Sequence, residues 1–348
     1  MISLSEQPLK ILICKPSSLG DVVQAMVVLR HLKASFPKSK IYWWIASGLS
    51  PLLKDDSDLD GIFLFDREAV KRFKGVWGYV TLVRQIRRMH FDLILDLQAL
   101  VRSAFFAWLC GGNKVVGLDD RREWAPLFYN QAVQRPTPDA HAVDWYLEVL
   151  RKIKIPIASK IDWIPENREV MMKLKSRFSS IFLSERKRVI LQPKTRWASK
   201  EWPVEHFIAM AKHILELRKD VVFSILGSNA DCQTGEQISR ALGSDRVDNL
   251  CGELSLPEMV EWIRCSDFMV TNDTGPMHVA AALGKPMAAL FGATNPYRTG
   301  PYAQMGNVIT AKRKCSPCLK KSCPFGKVPP CMEEIRPEIV SDFVLKHL

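Results

Sequence analysis

Two acidic residues in this chain stand where a strand should give way to a helix. Asp21 closes the segment Lys15-Pro-Ser-Ser-Leu-Gly-Asp21, after the apolar run Lys10–Cys14 and at the head of a helical pattern. Asp273 opens the turn Asp273-Thr274-Gly275, ahead of a short helical stretch, Met277 to Leu283, closed by Gly284. At Asp21 a carboxylate can take a proton from a bound hydroxyl or can cap the helix, and residue type alone leaves these two roles even, whereas Asp273 meets a hydroxyl of a bound molecule or caps its turn. Pro276 suits a first helical position, because its missing N–H would be unpaired there anyway. A helix that starts at such a turn directs free N–H groups and the positive end of its dipole beyond the strand ends, which makes an anion site. The plain alternative is that Asp273 or Thr274 only caps the turn.

Other chemistry-bearing residues lie in the second half. The loop Pro193–Pro203 carries Thr195, Arg196 and Lys200, a hydroxyl and two cations suited to phosphate oxygens; a solvated loop lysine is the commoner fate of a single Lys. His278 falls inside the short helix and could face a substrate or sit as a core histidine. Four late cysteines, Cys315, Cys318, Cys323 and Cys331, could hold a tetrahedral structural metal. Their spacing supplies one Cys-x-x-Cys pair and no second, so reduced packed thiols, or a disulfide formed on oxidation, is the competing reading. No catalytic role is assigned to them.

The elements that must position these residues alternate. Apolar runs at Lys10–Cys14, Ile41–Ala46, Gly61–Asp66, Phe91–Leu97 and Val115–Leu118 read as strands of a parallel sheet, with helical patterns such as Asp21–Ser35 and Ala140–Lys152 among them. The stretch 154–167, with Pro156 and Pro165, reads as a linker. The alternation resumes with strands at Val189–Gln192, Val221–Leu226, the run into Thr271, Met287–Phe291 and Asn307–Thr310. Helices are expected at Val204–Leu217, after Asp231, at Leu256–Cys265 and at Arg336–Leu348. The expected domains are 1–165, 166–330 and a C-terminal helical segment, 331–348, packing back toward the first domain. In open sheets of this kind ligands bind beyond the carboxyl ends of the strands. Neither the dinucleotide fingerprint nor the P-loop ending is present after the first strand.

The 348 residues carry 49 Lys and Arg against 37 Asp and Glu, a net charge of +12, which favours an anionic partner. Nothing matches a nucleic-acid-binding module. Arg67 to His90 is basic (Arg67, Lys71, Arg72, Lys74, Arg84, Arg87, Arg88) with Phe73, Trp77 and Tyr79 interleaved, and Arg121 and Arg122 add to it. It is either a solvated face or a surface for phosphates or a membrane interface. Apolar runs fall far short of a bilayer span, and no secretory signal is visible, so a cytoplasmic protein is expected.

Taken together, Lys15–Asp21, Lys200-Glu-Trp-Pro203, Leu226-Gly-Ser228 followed by Asp231, and Asn272–His278 with Gly292-Ala-Thr-Asn-Pro296 resemble the lipopolysaccharide heptosyltransferases, glycosyltransferase family 9. The resemblance implies the GT-B fold, α/β, with two Rossmann-like domains facing each other across a cleft. It implies inverting transfer of heptose from ADP-L-glycero-D-manno-heptose to the lipopolysaccharide inner core, either Kdo–lipid A or its heptosylated form. It places the enzyme as a peripheral protein at the cytoplasmic face of the bacterial inner membrane, with no required cofactor or catalytic metal. By the same resemblance Asp21 is the base and Lys200 binds phosphate. Ser18, Gly20, Thr195, Arg196, Asp231, Leu254, Asp273, Thr274, Gly275, Pro276 and His278 contact substrates. Asp231 stands where some members have Glu, and Leu254 where an apolar residue meets the adenosine. Two alternatives stay open: a nucleotide-sugar epimerase, or another nucleotide-sugar transferase of the family. A non-catalytic anion-binding partner is a third.

Overall fold

The structure is a computed structural model that describes residues 9–66, 73–120, 123–158, 161–182 and 185–348. Arg67, Lys71, Arg72, Arg121 and Arg122 of the basic stretches lie outside the described residues. The chain divides into two compact units, 1–165 and 166–348.

In the first unit, six parallel strands lie in the order β3-β2-β1-β4-β5-β6. They are β1 (Lys10–Cys14), β2 (Lys40–Ala46), β3 (Gly61–Phe65), β4 (Leu93–Asp96), β5 (Lys114–Asp119) and β6 (Gln131–Gln134). Helices α1 (Leu19–Ser35), α2 (Phe73–Arg87), α3 (Val101–Cys110) and α4 (Ala142–Lys152) connect or cover them. Because helices lie on the faces of a parallel sheet, its central strands are apolar without alternation. Ile11, Leu12, Ile13 and Cys14 of β1 are all fully buried.

The second unit repeats the plan, with order β12-β11-β10-β7-β8-β9. Its strands are β7 (Lys187–Gln192), β8 (Val221–Ile225), β9 (Val247–Asn249), β10 (Phe268–Asn272), β11 (Met287–Phe291) and β12 (Val308–Thr310). Its helices include α5 (Arg168–Arg177), α6 (Val204–Leu217), α7 (Cys232–Leu242), α8 (Leu256–Cys265), α9 (Gly275–Ala282) and α10 (Pro337–His347). Renumbered within its own half, each sheet has the 3-2-1-4-5-6 order of nucleotide-binding folds, so each has a switch point where crossovers leave in opposite directions. These points are β1/β4 and β7/β10, paired in parallel at Cys14↔Asp96 and Thr271↔Gln192. The segments 15–21 and 193–203 and the turn at 273–275 all emerge there.

Three expectations change. β6 and β9 are absent from the sequence reading. Each is an edge strand, Gln-Ala-Val-Gln or Val-Asp-Asn, with one neighbour and too little apolar content to announce itself. Helix α1 begins at Leu19, two residues before the expected start at Asp21, so Gly20 joins Asp21 in its first turn. The C-terminal helix α10 falls in the second unit, where Val340 and Val344 are buried in the core with Phe207 and Ile214 of α6.

Candidate active site

In the second unit, Asn272 at the end of β10 stitches the 193–203 loop shut. Its buried side chain accepts from the Trp202 N–H at 3.1 Å and donates to the Pro193 carbonyl at 2.8 Å. The Trp202 indole, itself buried, donates to the Ile335 carbonyl at 2.7 Å. Inside the loop, Lys194 pairs with Glu201 at 2.5 Å, and the Thr195 hydroxyl donates to the Trp197 carbonyl at 2.8 Å while accepting the Trp197 N–H at 3.1 Å. Thr195 therefore spends its hydroxyl on the turn.

This scaffold fixes Lys200. Its ammonium lies 2.7 Å from an Asp273 carboxylate oxygen and over the Trp197 ring. The same oxygen accepts from the Thr294 hydroxyl at 2.5 Å. Asp273 is 5% exposed, so the pair sits in a poorly solvated position. Immediately after it, Thr274 adopts an extended backbone as N-cap of α9 but makes no side-chain cap bond, so its hydroxyl does not occupy the helix's first-turn donors.

That helix start opens onto a cavity of about 540 Å³, a size suited to a small-molecule ligand. Thr195, Arg196, Asp231, Leu254, Thr274 and Pro276 line it together, with Leu250 and Met259 adding apolar wall. A lining that combines Arg196 and Thr274 with aliphatic side chains suits a molecule with an anionic part and an apolar part. Asp231 is also engaged locally, accepting from the Ser228 N–H and hydroxyl at 2.8 and 2.7 Å. Gly275 starts α9 between Thr274 and Pro276. His278 is half-buried one turn further on, and Lys200 and Asp273 stand behind the turn; none of these four lines the cavity.

In the first unit, Asp21 caps the helix with one oxygen and turns the other toward a cation. One carboxylate oxygen accepts from the Ser18 N–H at 2.9 Å and the Ser18 hydroxyl at 2.6 Å, closing a capping box on α1. The other faces the Lys15 ammonium at 3.8 Å, and the Asp21 side chain is 41% exposed. Lys15 is buried, donates to the Leu97 carbonyl at 2.9 Å and so ties the end of β1 to the end of β4. Burial pulls its pKa down, but Tyr146, Asp21 and Asp96 outweigh burial and leave it above the ordinary lysine value. A buried cation thus sits beside Asp21. Beneath lies Asp96, fully buried, its carboxyl pushed by burial up to about 6 against donors from Gln98, Ser103 and Tyr129 and the charge of Lys15.

A model of glycosyltransferase family 9 (heptosyltransferase) matches residues 79–329. The chain belongs to glycosyltransferase family 9. It is therefore a glycosyltransferase. Among curated relatives of this family 9 chain, the lipopolysaccharide core heptosyltransferase OpsX of Haemophilus influenzae is 25% identical over 88% of the chain and 85% of its own length. Among solved structures, a family 9 glycosyl transferase from Veillonella parvula superposes with TM-score 0.82 at 20% identity, covering 97% of this chain and 96% of that one. The Escherichia coli heptosyltransferase WaaC with ADP gives TM-score 0.77 at 19% identity, covering 98% and 100%. These two likenesses carry the fold, GT-B.

The late cysteines of this family 9 chain lie in a long segment without helix or strand, from 311 to 329, and at Cys331 just after it. Cys331 is buried, Cys318 and Cys323 are half-buried and Cys315 is exposed, all as free thiols. Burial first, and then Cys315, Cys318 and Cys323, raise the Cys331 pKa. Among the described residues, no group of three or more His, Cys, Asp or Glu is arranged to hold a metal ion. The segment acts as a strap. Its Lys320 and Lys321 carbonyls accept from the Ser199 hydroxyl and N–H at 2.5 and 3.3 Å, and its Leu319 N–H donates to Ala293 at 2.8 Å. These anchors adjoin Lys200 on one side and Thr294 on the other.

Lys15, Asp96, Tyr146, Ser199, Asn272 and Thr294 carry no assigned role in the sequence reading. Lys15 alone had a signal, a cation placed directly after a buried strand.

Proposed function

We propose that this glycosyltransferase moves a heptose, with inversion, from ADP-L-glycero-D-manno-heptose to the inner core of lipopolysaccharide, the acceptor being Kdo–lipid A or a form already carrying heptose. The observation that supports the donor most directly is the cavity at the start of α9, where Thr195, Arg196 and Thr274 meet an apolar wall that includes Leu254. The adenosine lies along Leu250, Leu254 and Met259, with Asp231 toward the ribose. The diphosphate meets the first-turn N–H groups of α9, with the Lys200 charge behind the turn.

The reaction is a single displacement. The acceptor hydroxyl oxygen bonds to the anomeric carbon as the bond from that carbon to the phosphate oxygen breaks, and ADP leaves with the electron pair. The hydroxyl proton passes to Asp21, which lies beside Lys15. Negative charge developing on ADP is met by fixed dipoles and cations. The heptosyltransferase names of the relatives support heptose as the transferred sugar. The lipid-anchored, phosphorylated acceptor suits a basic enzyme working at the cytoplasmic face of the inner membrane.

The test is ADP release from ADP-heptose with and without a Kdo–lipid A acceptor. Release that depends on acceptor is expected. Free epimerised sugar would replace this reading with the epimerase, and turnover with UDP- or GDP-sugars alone would change the donor.

A further inference from the structure

Helix α3 has an outward stripe that the reaction does not use. Val101, Phe105 and Trp108 follow one another at helical spacing and are 39%, 42% and 53% exposed, whereas Ala104, Phe106, Ala107 and Cys110 face the core. The turn at Ala125–Phe128 packs beside them, and its rim is more exposed still: Trp124 at 77% and Leu127 at 75%. The rings support one another. Phe105 lies 5.9 Å from Trp108 and 5.4 Å from Phe128, and Trp108 lies 6.1 Å from Phe128. The Glu123 carboxylate accepts the Val101 N–H at 2.6 Å, fastening the loop before the turn to the start of α3. The result is a preformed aromatic platform and not a scatter of single apolar side chains.

Its border is basic. Arg102 is exposed on α3 itself. The adjoining α2 packs on α3 through Tyr79 against Phe106 and ends in Arg87, which reaches across to the Leu109 carbonyl at 3.4 Å; Trp77 and Arg84 of α2, and Arg88 just after it, are exposed. The acidic residues nearby are Asp119, Asp120 and Glu123, the last occupied with the Val101 N–H. Exposed tryptophans with guanidinium groups around them match a lipid headgroup region, where amphipathic rings and cations both find partners. A second copy of the chain is disfavoured, because a two-fold contact on this face would set Arg84, Arg88 and Arg102 near their own counterparts.

We propose that this platform docks the protein on an anionic lipid bilayer. The inference rests on the reading of a lipid-linked acceptor and names the surface that would reach it. Docking and transfer fail separately, which keeps the two readings distinguishable.

The test uses the full chain and vesicles of phosphatidylethanolamine and phosphatidylglycerol, with phosphatidylcholine vesicles as control, followed by co-sedimentation. The wild type is expected to bind the anionic vesicles and to show a blue-shifted tryptophan emission. The double variant Trp124→Ser, Leu127→Asn, whose side chains are mostly solvated, should bind about tenfold more weakly. It should keep its ADP affinity and its rate on a deacylated, water-soluble acceptor. Arg84→Glu with Arg88→Glu should abolish the preference for anionic lipid. Unchanged vesicle binding in the aromatic variant would overturn the proposal. So would a change from dimer to monomer with vesicle binding intact, since the occupant would then be a second copy. A wild type that transfers to soluble acceptor yet ignores vesicles would sink the docking surface and leave the proposed reaction standing.

Discussion

Lys200 and Asp273 form an ion pair of 2.7 Å from opposite sides of the second switch point, one from the loop after β7 and the other from the turn after β10. The pair neutralises a carboxylate that is almost fully buried, and it sets a cation directly behind the start of α9. Removing the lysine alone would leave Asp273 with only the Thr294 hydroxyl.

Lys200→Ala should therefore weaken donor binding, slow turnover and destabilise the second unit by about 3 kcal/mol. The double variant Lys200→Ala, Asp273→Ala should recover much of that stability and none of the activity. Urea unfolding and donor titrations on the two variants measure both. Unchanged kinetics in the single variant would exclude a phosphate role for Lys200.

Asp21 caps α1 through one oxygen and faces Lys15 through the other. Asp21→Asn keeps an oxygen for the Ser18 cap and loses the proton acceptor. Turnover should fall by about 100-fold or more, ADP affinity should stay nearly intact, and thermal stability should change little. Asp21→Ala should lose turnover as well and about 1 kcal/mol of stability from the cap. An Asn variant with near-normal turnover would remove Asp21 as the base.

Asp96 makes a pH signature. Its carboxyl sits at about 6 where an ordinary aspartate sits near 3.8, because burial penalises the charged form. The folded state holds this proton more firmly than the unfolded chain does. Stability from this group is thus fullest below about pH 4 and falls as pH rises through about 6, by about 3 kcal/mol in total. Asp96→Asn cannot titrate. Its unfolding free energy should gain on the wild type by that amount between pH 4 and 7, measured by urea titration at several pH values. A constant difference across the range would show that Asp96 does not change charge there.

Ser199 is the point where the cysteine strap grips the Lys200 loop. Ser199→Ala removes the side-chain bond, leaves the backbone bond, and should cost about 1 kcal/mol. Because the lost bond positions Lys200 and touches no ligand directly, the loss should appear in the KM for donor more than in kcat. Equal losses in both would argue for a direct catalytic role.

The sequence by itself determined the alternation of strands and helices, because buried parallel strands need uninterrupted apolar runs and their crossover helices need apolar positions at helical spacing. It also marked the segments that carry the candidate site, since Gly, Pro, Asp and Thr mark strand-to-helix turns by their backbone chemistry. Edge strands β6 and β9 escaped because one neighbour and a half-solvated face demand little of their side chains. Only the tertiary structure decided which side chains act together. Lys15 meets Asp21 and Asp96, and Lys200 meets Asp273 and Thr294, because strands distant in the chain lie side by side at each switch point. Charge pairing across such distances leaves no local pattern: any Lys may solvate its own loop until the fold buries it beside a particular carboxylate. The exposed aromatic platform of α3 was decided there as well, since Phe105 and Phe106 are identical in type and only packing turns one to the core and the other to solvent.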